Sequence, residues 1–179
     1  DSAFPHRVLG HELMHVIAGS DGPGPFKVAG RLGGLLPSPG LIEGVAVAAS
    51  PKDDDLMPME WAKSMKDLGI LPPLERLLGL AFFSENSAMA YTVSGAFVGW
   101  FHDRYGAAAL RGWYRGESLR SLTGVDLAEL EQQWHADLDG LALPEAAQIQ
   151  AKAKFDKPGF FARRCPRLVD ACRDRAESL

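Results

Sequence analysis

Bulky apolar residues recur every three to four positions between residues 86 and 105, and this spacing constrains the fold more than any other feature of the chain. In an α-helix such residues share one face, and that face must be buried against other elements. The residues on the predicted face are Met89, Val93, Phe97, Trp100 and Phe101. Gly106 is the expected end of this helix. Because strand signals are scarce in the rest of the chain, we predict a mainly α fold.

Several shorter helices are expected around this one. Apolar periodicity, proline starts and glycine stops predict helices over 5–18, 41–49, 58–68 and 144–155, and a last basic helix over 166–177. Asp126 and Glu129 form a D-x-x-E capping box that begins another helix, ending near Leu138. Residues 19–40 are rich in Gly and Pro, which predicts a loop with at most one short β-hairpin over 26–36. The apolar residues of the first helix surround its axis, and this pattern predicts a buried helix.

Charge is divided unevenly along the 179 residues. Residues 1–151 carry 11 Lys and Arg against 19 Asp and Glu, whereas residues 152–179 carry 8 against 4. An acidic body argues against a nucleic-acid partner, which proteins bind by neutralising phosphates with basic side chains. Hydrophobic residues make up 46% of the chain and charged residues 23%, which excludes an intrinsically disordered protein. We expect one helical domain over 1–142 and a C-terminal basic helical extension over 143–179.

The two cysteines, Cys165 and Cys172, both lie in that extension. On one continuous helix they would be about 10 Å apart, too far for a disulfide bond. A turn between them would permit the bond, so both states stay open.

The sequence HELMH at residues 11–15 carries the clearest chemical signal. Histidines four residues apart on a helix are rotated by about 400°, so both imidazoles project from the same face one turn apart. Two of their nitrogens can then bind one zinc ion at about 2.0–2.1 Å. Glu12 lies beside the ion, where it can bind a water molecule and take its proton. The alternative is a pair of histidines whose hydrogen bonds are satisfied within a buried helix.

Glu43 is the expected third ligand. Its carboxylate stands near the start of the apolar segment LIEGVA at residues 41–46, where an unpaired charge is costly. Considered alone, it also fits a glutamate favoured by the dipole at a helix N-terminus. With His11 and His15 it completes a His₂Glu set whose fourth position is open for water, the arrangement of catalytic zinc sites. We therefore predict one Zn²⁺ per chain.

Three segments together resemble the gluzincin zinc metallopeptidases, on the aminopeptidase-N side of that group and including the bacterial peptidase-MA-like domains. They are HELMH at 11–15, EGVA at 43–46 and the aromatic segment YTVSGAF at 91–97. The segment 123–134 is similar to the closing helix of that family, so the resemblance covers roughly residues 5–140.

The resemblance implies a zincin-like helical catalytic domain that hydrolyses peptide bonds. It implies that His11, His15 and Glu43 hold the zinc ion and that Glu12 is the general base. It also implies that Tyr91 donates a hydrogen bond to the oxyanion. Gly95 lies about one turn after Tyr91 on the same side of the predicted helix, so we expect it to leave room for substrate. The alternative for Tyr91 is a half-buried helix residue that serves only in packing.

The chain departs from the family pattern in several respects. The 27 residues between His15 and Glu43 exceed the interval usual in the aminopeptidases, and the Gly/Pro-rich loop accounts for the excess. Val47 stands where thermolysin-like enzymes have an aspartate, which disfavours that branch. The G-x-M-E-N exopeptidase motif and the β-sheet that precedes the zinc helix in the family have no counterpart here. We therefore expect two kinds of partner. One is a peptide or protein substrate, and the other is formed by further segments of a longer parent protein.

A zinc-dependent metallopeptidase is the leading functional hypothesis. The first alternative is a catalytically inactive zinc-binding or scaffolding domain of a larger membrane or secreted protein. Glu12 favours the enzyme, because a purely structural site has no need of that carboxylate. A further alternative is a partner-binding helical module that uses the basic residues 152–179. Two other histidines, His102 and His135, are expected at the surface or core edge, and 53–55 (DDD) is expected to be a solvated loop.

Overall fold

The computed structural model describes residues 7–32, 34–49 and 56–155, and these ranges are mainly α-helical, as the sequence predicts. The described helices are α1 Arg7–Asp21, α2 Pro39–Ala48, α3 Pro58–Asp67, α4 Leu74–Leu78, α5 Ser87–Tyr114, α6 Leu119–Thr123, α7 Leu127–Asp139 and α8 Ala147–Phe155. A 3₁₀ helix covers Leu80–Ser84, and the strands β1 Gly30–Arg31 and β2 Leu36–Pro37 pair in antiparallel register. This pair is the short hairpin expected within residues 26–36.

Three sequence predictions lie outside the described residues: the acidic loop 53–55, the helix over 166–177 and the state of the two cysteines. Among the helices that are described, none combines the length and the hydropathy needed to cross a membrane.

Helix α5 is the central element of the core. Phe97, Trp100 and Phe101 on its predicted apolar face are all buried, which confirms the predicted orientation. Gly106 interrupts the helix, as the sequence predicts, because it adopts the non-helical angles φ 82° and ψ 169°. Glycine allows this positive φ without the steric cost of a Cβ atom. The sequence did not indicate that a second helical stretch follows the interruption and extends to Tyr114.

Helix α2 packs on α5 at very short range because glycines line its contact face. A Cβ atom on Gly44 would lie 2.8 Å from the carbonyl oxygen of Ser94 and 2.7 Å from Cγ2 of Val98. A Cβ atom on Gly40 would lie 2.4 Å from the carbonyl oxygen of Leu77 in α4. Helix α2 can therefore approach α5 at Gly44 and α4 at Gly40 because these residues have no side chain, and the two contacts position the helix that carries Glu43.

Gly44→Ala is expected to lower the free energy of unfolding by roughly 1–3 kcal/mol, because the new methyl group overpacks the contact between α2 and α5. Gly99→Ala is the matched control, since its Cβ would meet only the Ala48 Cβ, at 3.8 Å. That control should gain roughly 0.5–1 kcal/mol, the usual benefit of replacing glycine inside a helix. Urea denaturation of both variants measures the difference, and equal stability would contradict the close packing.

Helix α1 is not buried all round, contrary to the prediction from its sequence. Met14 and Ala18 pack against the core, whereas Leu9, Leu13, Val16 and Ile17 are between 51% and 72% exposed. Their exposure shows that no described element covers the outer face of this helix. Apolar residues on all sides of α1 therefore did not correctly predict that the other described elements bury this helix.

The C-terminal helices complete the core. Asp126 caps α7 as predicted, since its carboxylate accepts a hydrogen bond of 3.0 Å from the Glu129 backbone N–H. Helix α8 packs on α3, where the Phe155 and Trp61 rings meet edge to face at 5.5 Å. The described part of the expected extension 143–179 thus shares the core of the preceding helices. The boundary at residue 142 stays a prediction.

Candidate metal centre

The structure brings His11, His15 and Glu43 together at the junction of α1 and α2. The two imidazole Nε2 atoms lie 3.1 Å apart, and each lies 3.3 Å from the same Glu43 oxygen, Oε2. Among the described residues, this is the only group of three or more potential metal-binding side chains close enough to share an ion.

Local structure explains why these side chains meet. The i, i+4 spacing of the histidines places both rings on the inner face of α1. The chain then returns through the hairpin, where Ser38 donates from its backbone N–H to the Ala29 carbonyl at 3.0 Å. The Ser38 hydroxyl also donates to the Leu78 carbonyl at 2.8 Å, so α2 begins at a fixed point beside α1. The long Gly/Pro-rich loop is therefore folded back on itself and leaves the side chains of His11, His15 and Glu43 adjacent.

The geometry of the three donor atoms fits a zinc ion. Ligand atoms placed about 2.0–2.1 Å from a tetrahedral zinc lie about 3.3–3.4 Å from one another. The observed separations of 3.1 and 3.3 Å are close to these values. Two neutral imidazoles and one carboxylate are also the donor set found in open, catalytic zinc sites. The side chains are 22–26% exposed, so a fourth position is accessible from solvent.

The alternatives for these residues fit the geometry less well. The hydrogen bonds of the two imidazoles are not satisfied separately within the helix. Their Nε2 atoms face the same oxygen of the Glu43 carboxylate and each other. Glu43 is the fifth residue of α2, beyond the first turn in which the helix dipole favours a negative charge. Its position is therefore better explained by the two imidazoles than by the helix N-terminus.

Tyr91 lies at the same site. Its ring centroid is 6.4 Å from that of His11, and its hydroxyl donates a hydrogen bond to the Glu43 carboxylate. Burial raises the pKa of Tyr91 above its ordinary value, and the negative charges of Glu43 and Glu12 add to this effect. The phenol consequently keeps its proton at neutral pH and is available as a donor. The buried Phe82 ring, 5.4 Å away, packs against Tyr91 on its other side.

Glu12 is exposed on α1 between the two histidines. Its negative charge contributes to the raised pKa of Tyr91. The carboxylate is thus exposed one residue after His11, the position from which the sequence predicts that it binds a water molecule.

Gly95 differs from its expected role. The sequence prediction was that this glycine, one turn after Tyr91, leaves room for substrate. A Cβ atom there would instead lie 2.2 Å from Cγ1 of Val47. Gly95 therefore serves to admit the Val47 side chain into the contact between α2 and α5.

Sequence reasoning missed Tyr114, whose buried side chain approaches the site from the second half of α5. Burial raises its pKa, the Ala29 backbone N–H opposes the shift by donating a hydrogen bond, and the Glu43 charge raises the pKa further. Tyr114 lies in the helical stretch after Gly106. The sequence analysis did not predict that stretch.

An ion-pair cluster at the end of α1 was also missed. Asp21 pairs with Arg111 at 2.9 Å and with Arg115 at 2.5 Å, which ties the C-terminal end of α1 to α5.

The other two histidines stay apart from the site, as expected. His102 is exposed beside Asp103. His135 is half-buried, and this burial is the main reason that its pKa is lowered.

Comparison of the chain with protein-family models, with curated proteins and with solved structures finds no match. A functional assignment therefore depends on the residues and the geometry of the site.

Proposed function

We propose that this protein is a zinc-dependent metallopeptidase. The observation that carries the proposal is the convergence of two imidazole nitrogens and one carboxylate oxygen, separated by 3.1–3.3 Å. Glu12 is exposed between the two histidines in the sequence of α1. A site built only for structure closes all four positions of its zinc ion with protein ligands. Here the three proposed ligands leave one position open for water. The Tyr91 hydroxyl donates a hydrogen bond to Glu43 at this site, and Glu12 follows His11 directly on α1.

Each residue has a distinct part in the proposed reaction. His11, His15 and Glu43 would hold the ion, which when bound supplies a Lewis acid for the scissile carbonyl and for a water molecule. Glu12 accepts the proton of the attacking water and passes it to the leaving amine. The Tyr91 hydroxyl donates a hydrogen bond to the carbonyl oxygen as negative charge develops there. For this last step Tyr91 must exchange its hydrogen bond to Glu43 for one to the substrate.

Metal analysis combined with a peptidase assay tests the proposal. We expect the purified protein to contain about one equivalent of zinc and to hydrolyse an unfolded substrate such as denatured casein. A chelator should remove both the metal and the activity, and added zinc should restore both. Zinc binding without hydrolysis of a broad peptide library would favour the scaffolding alternative, and absence of zinc binding would contradict both functions.

Tyr91→Phe should lower kcat by roughly 10- to 1,000-fold with little change in KM, because the hydroxyl contributes to the transition state more than to substrate binding. Steady-state kinetics with a fluorogenic peptide measures both constants. Tyr105→Phe is the matched control, since the Tyr105 hydroxyl donates to Gln133 on α7, away from the metal centre. Equal activity of the two variants would show that Tyr91 serves only in packing.

A further inference from the structure

We propose that the Gly/Pro-rich segment between α1 and α2 carries a surface that binds anionic lipid bilayers. This surface, which we term the loop surface, consists of the exposed residues Phe26, Lys27, Arg31, Leu32 and Leu35. A protein segment that lies in a membrane interface binds through the apolar area that it buries and through the attraction of its cations to anionic lipids. The loop surface offers both. It contains none of the proposed zinc ligands, so the inference does not depend on the peptidase function.

The apolar part of the loop surface is open to solvent and continues onto α1. Its three apolar side chains are between 63% and 73% exposed. A Cβ atom on Gly19 would lie 3.4 Å from the Lys27 carbonyl oxygen, so the loop meets α1 at this glycine. Val16, which belongs to the exposed apolar face of α1, lies three residues before Gly19 and is therefore its neighbour on the helix surface. Contiguous exposed apolar surface of this kind marks a site of interaction with a protein or a membrane.

The backbone of the loop indicates that its exposed side chains are not there for the stability of the fold. Lys27 and Leu32 adopt φ 54° and 52°, in the left-handed region that is unfavourable for residues with a Cβ atom. A glycine or an asparagine would adopt this backbone at lower cost. Leu32 is in addition 73% exposed, so its side chain contributes little to the core. Strained positions of this kind concentrate at functional sites.

The loop surface is cationic, whereas the body of the chain is acidic. Residues 22–42 contain Lys27 and Arg31 and no Asp or Glu. Residues 1–151 as a whole carry 11 Lys and Arg against 19 Asp and Glu. The charge of the loop surface is therefore complementary to an anionic bilayer, to which each basic side chain near the membrane is attracted.

The charges around the loop surface do not cancel its cations. Asp21, at the end of α1, is already paired with Arg111 and Arg115. Glu75 and Glu117 line a cavity together with the arginine of the loop surface. With the two cations of the loop surface, these residues provide four cations against three carboxylates. The region thus keeps a net positive charge.

The lysine favours a bilayer over a protein partner. Lysine is depleted in protein–protein interfaces, where its strongly hydrated amine must lose water. At a bilayer, the amine stays among the lipid headgroups while its aliphatic stem lies along apolar groups. Phe26 and Leu32 can enter the acyl boundary beside Lys27, because all three side chains are exposed.

The first experiment tests the charge of the loop surface. The full chain is sedimented with vesicles of phosphatidylcholine that contain about one third phosphatidylglycerol, and with vesicles of phosphatidylcholine alone. We expect tighter binding to the anionic vesicles. Lys27→Asn should weaken that binding by roughly fivefold, the contribution of one cation near an anionic surface. Lys152→Gln, which removes an exposed cation from α8, is the matched control and should leave the binding unchanged.

The second experiment tests the apolar part. Leu32→Asn should weaken binding to the anionic vesicles by roughly 10-fold, because a buried leucine side chain is lost from the bilayer contact. Its thermal midpoint of unfolding should be unchanged or higher, since asparagine tolerates the left-handed backbone. Ile149→Ser, which removes an equally exposed apolar side chain from α8, should leave the vesicle binding unchanged.

Three results would overturn the inference, and none of them requires hydrolysis to be measured. Equal binding to neutral and anionic vesicles, or no binding to either, would exclude recognition of an anionic bilayer. Unchanged binding in both Lys27→Asn and Leu32→Asn would assign lipid binding to another segment, such as the basic residues 152–179. A dimer that forms without vesicles and is lost in Leu32→Asn, measured by sedimentation velocity, would assign the loop surface to a contact between copies of the chain.

Discussion

Glu12→Gln should abolish peptide hydrolysis while zinc stays bound. Glutamine preserves the shape of the side chain, but its amide cannot accept the proton of the attacking water. Loss of a general base lowers rates by about 10²–10⁴-fold. The measurement is kcat on a fluorogenic peptide, with the zinc content of the same preparation determined by metal analysis.

Because Glu12 is exposed, its substitution should not disturb the packing of the core. Because the carboxylate is not part of the core, the thermal midpoint of unfolding should be unchanged. Glu129→Gln, an exposed glutamate in the first turn of α7, is the matched control and should retain full activity. Unchanged turnover in Glu12→Gln would show that any hydrolysis arises elsewhere in the chain or from a contaminating enzyme.

The part of the site that helix geometry determines was predictable from the sequence. Two histidines four residues apart must share a face once the segment is helical, so HELMH already specified two adjacent imidazoles. The central helix was equally predictable, because its apolar spacing leaves only one face that can enter a core. In both cases a local repeat determines which side chains lie together.

The approach of Glu43 to the histidines is not a local property. Its chemistry suggested a third ligand, but the contact depends on the hairpin and on α2 packing against α5. That packing depends on Gly44, and Gly40 likewise lets α2 approach α4; both roles become visible only when the facing backbone is known. The sequence thus singled out Glu43, but its placement beside the histidines depends on tertiary structure.

The wrong predictions share a physical cause. The helix is interrupted at Gly106 as predicted, but the helical stretch after it, whose Trp113 and Tyr114 are buried in the core, was not predicted. Gly95 was assigned to substrate, yet its neighbour across the helix contact is Val47. The short helices α4 and α6, of five residues each, contain too few turns for a periodic signal. Each outcome depends on which residues of the folded chain pack against the segment, and a single sequence does not specify those residues.

Glu43→Gln should weaken zinc binding by at least about 100-fold, beyond the 10- to 100-fold typical of losing an outer hydrogen-bond partner of a ligand. The substitution removes the only anionic ligand and leaves two neutral imidazoles with a weakly donating amide oxygen. Glutamine and glutamate have similar helix propensities, so α2 and its packing on α5 should persist. Competition with a chromophoric chelator measures the zinc affinity, and circular dichroism checks the fold.

A matched variant separates the charge of Glu43 from its reach. Glu43→Asp keeps the carboxylate but withdraws it by one methylene from the two Nε2 atoms, which now lie 3.3 Å from its oxygen. We expect its zinc affinity to fall between those of the unmodified protein and Glu43→Gln, because the charge remains while the geometry is impaired. If Glu43→Gln binds zinc as tightly as the unmodified protein, the ion is held by other residues. The proximity of Glu43 to the imidazoles would then be only an ion pair, and the assignment of the three ligands would be wrong.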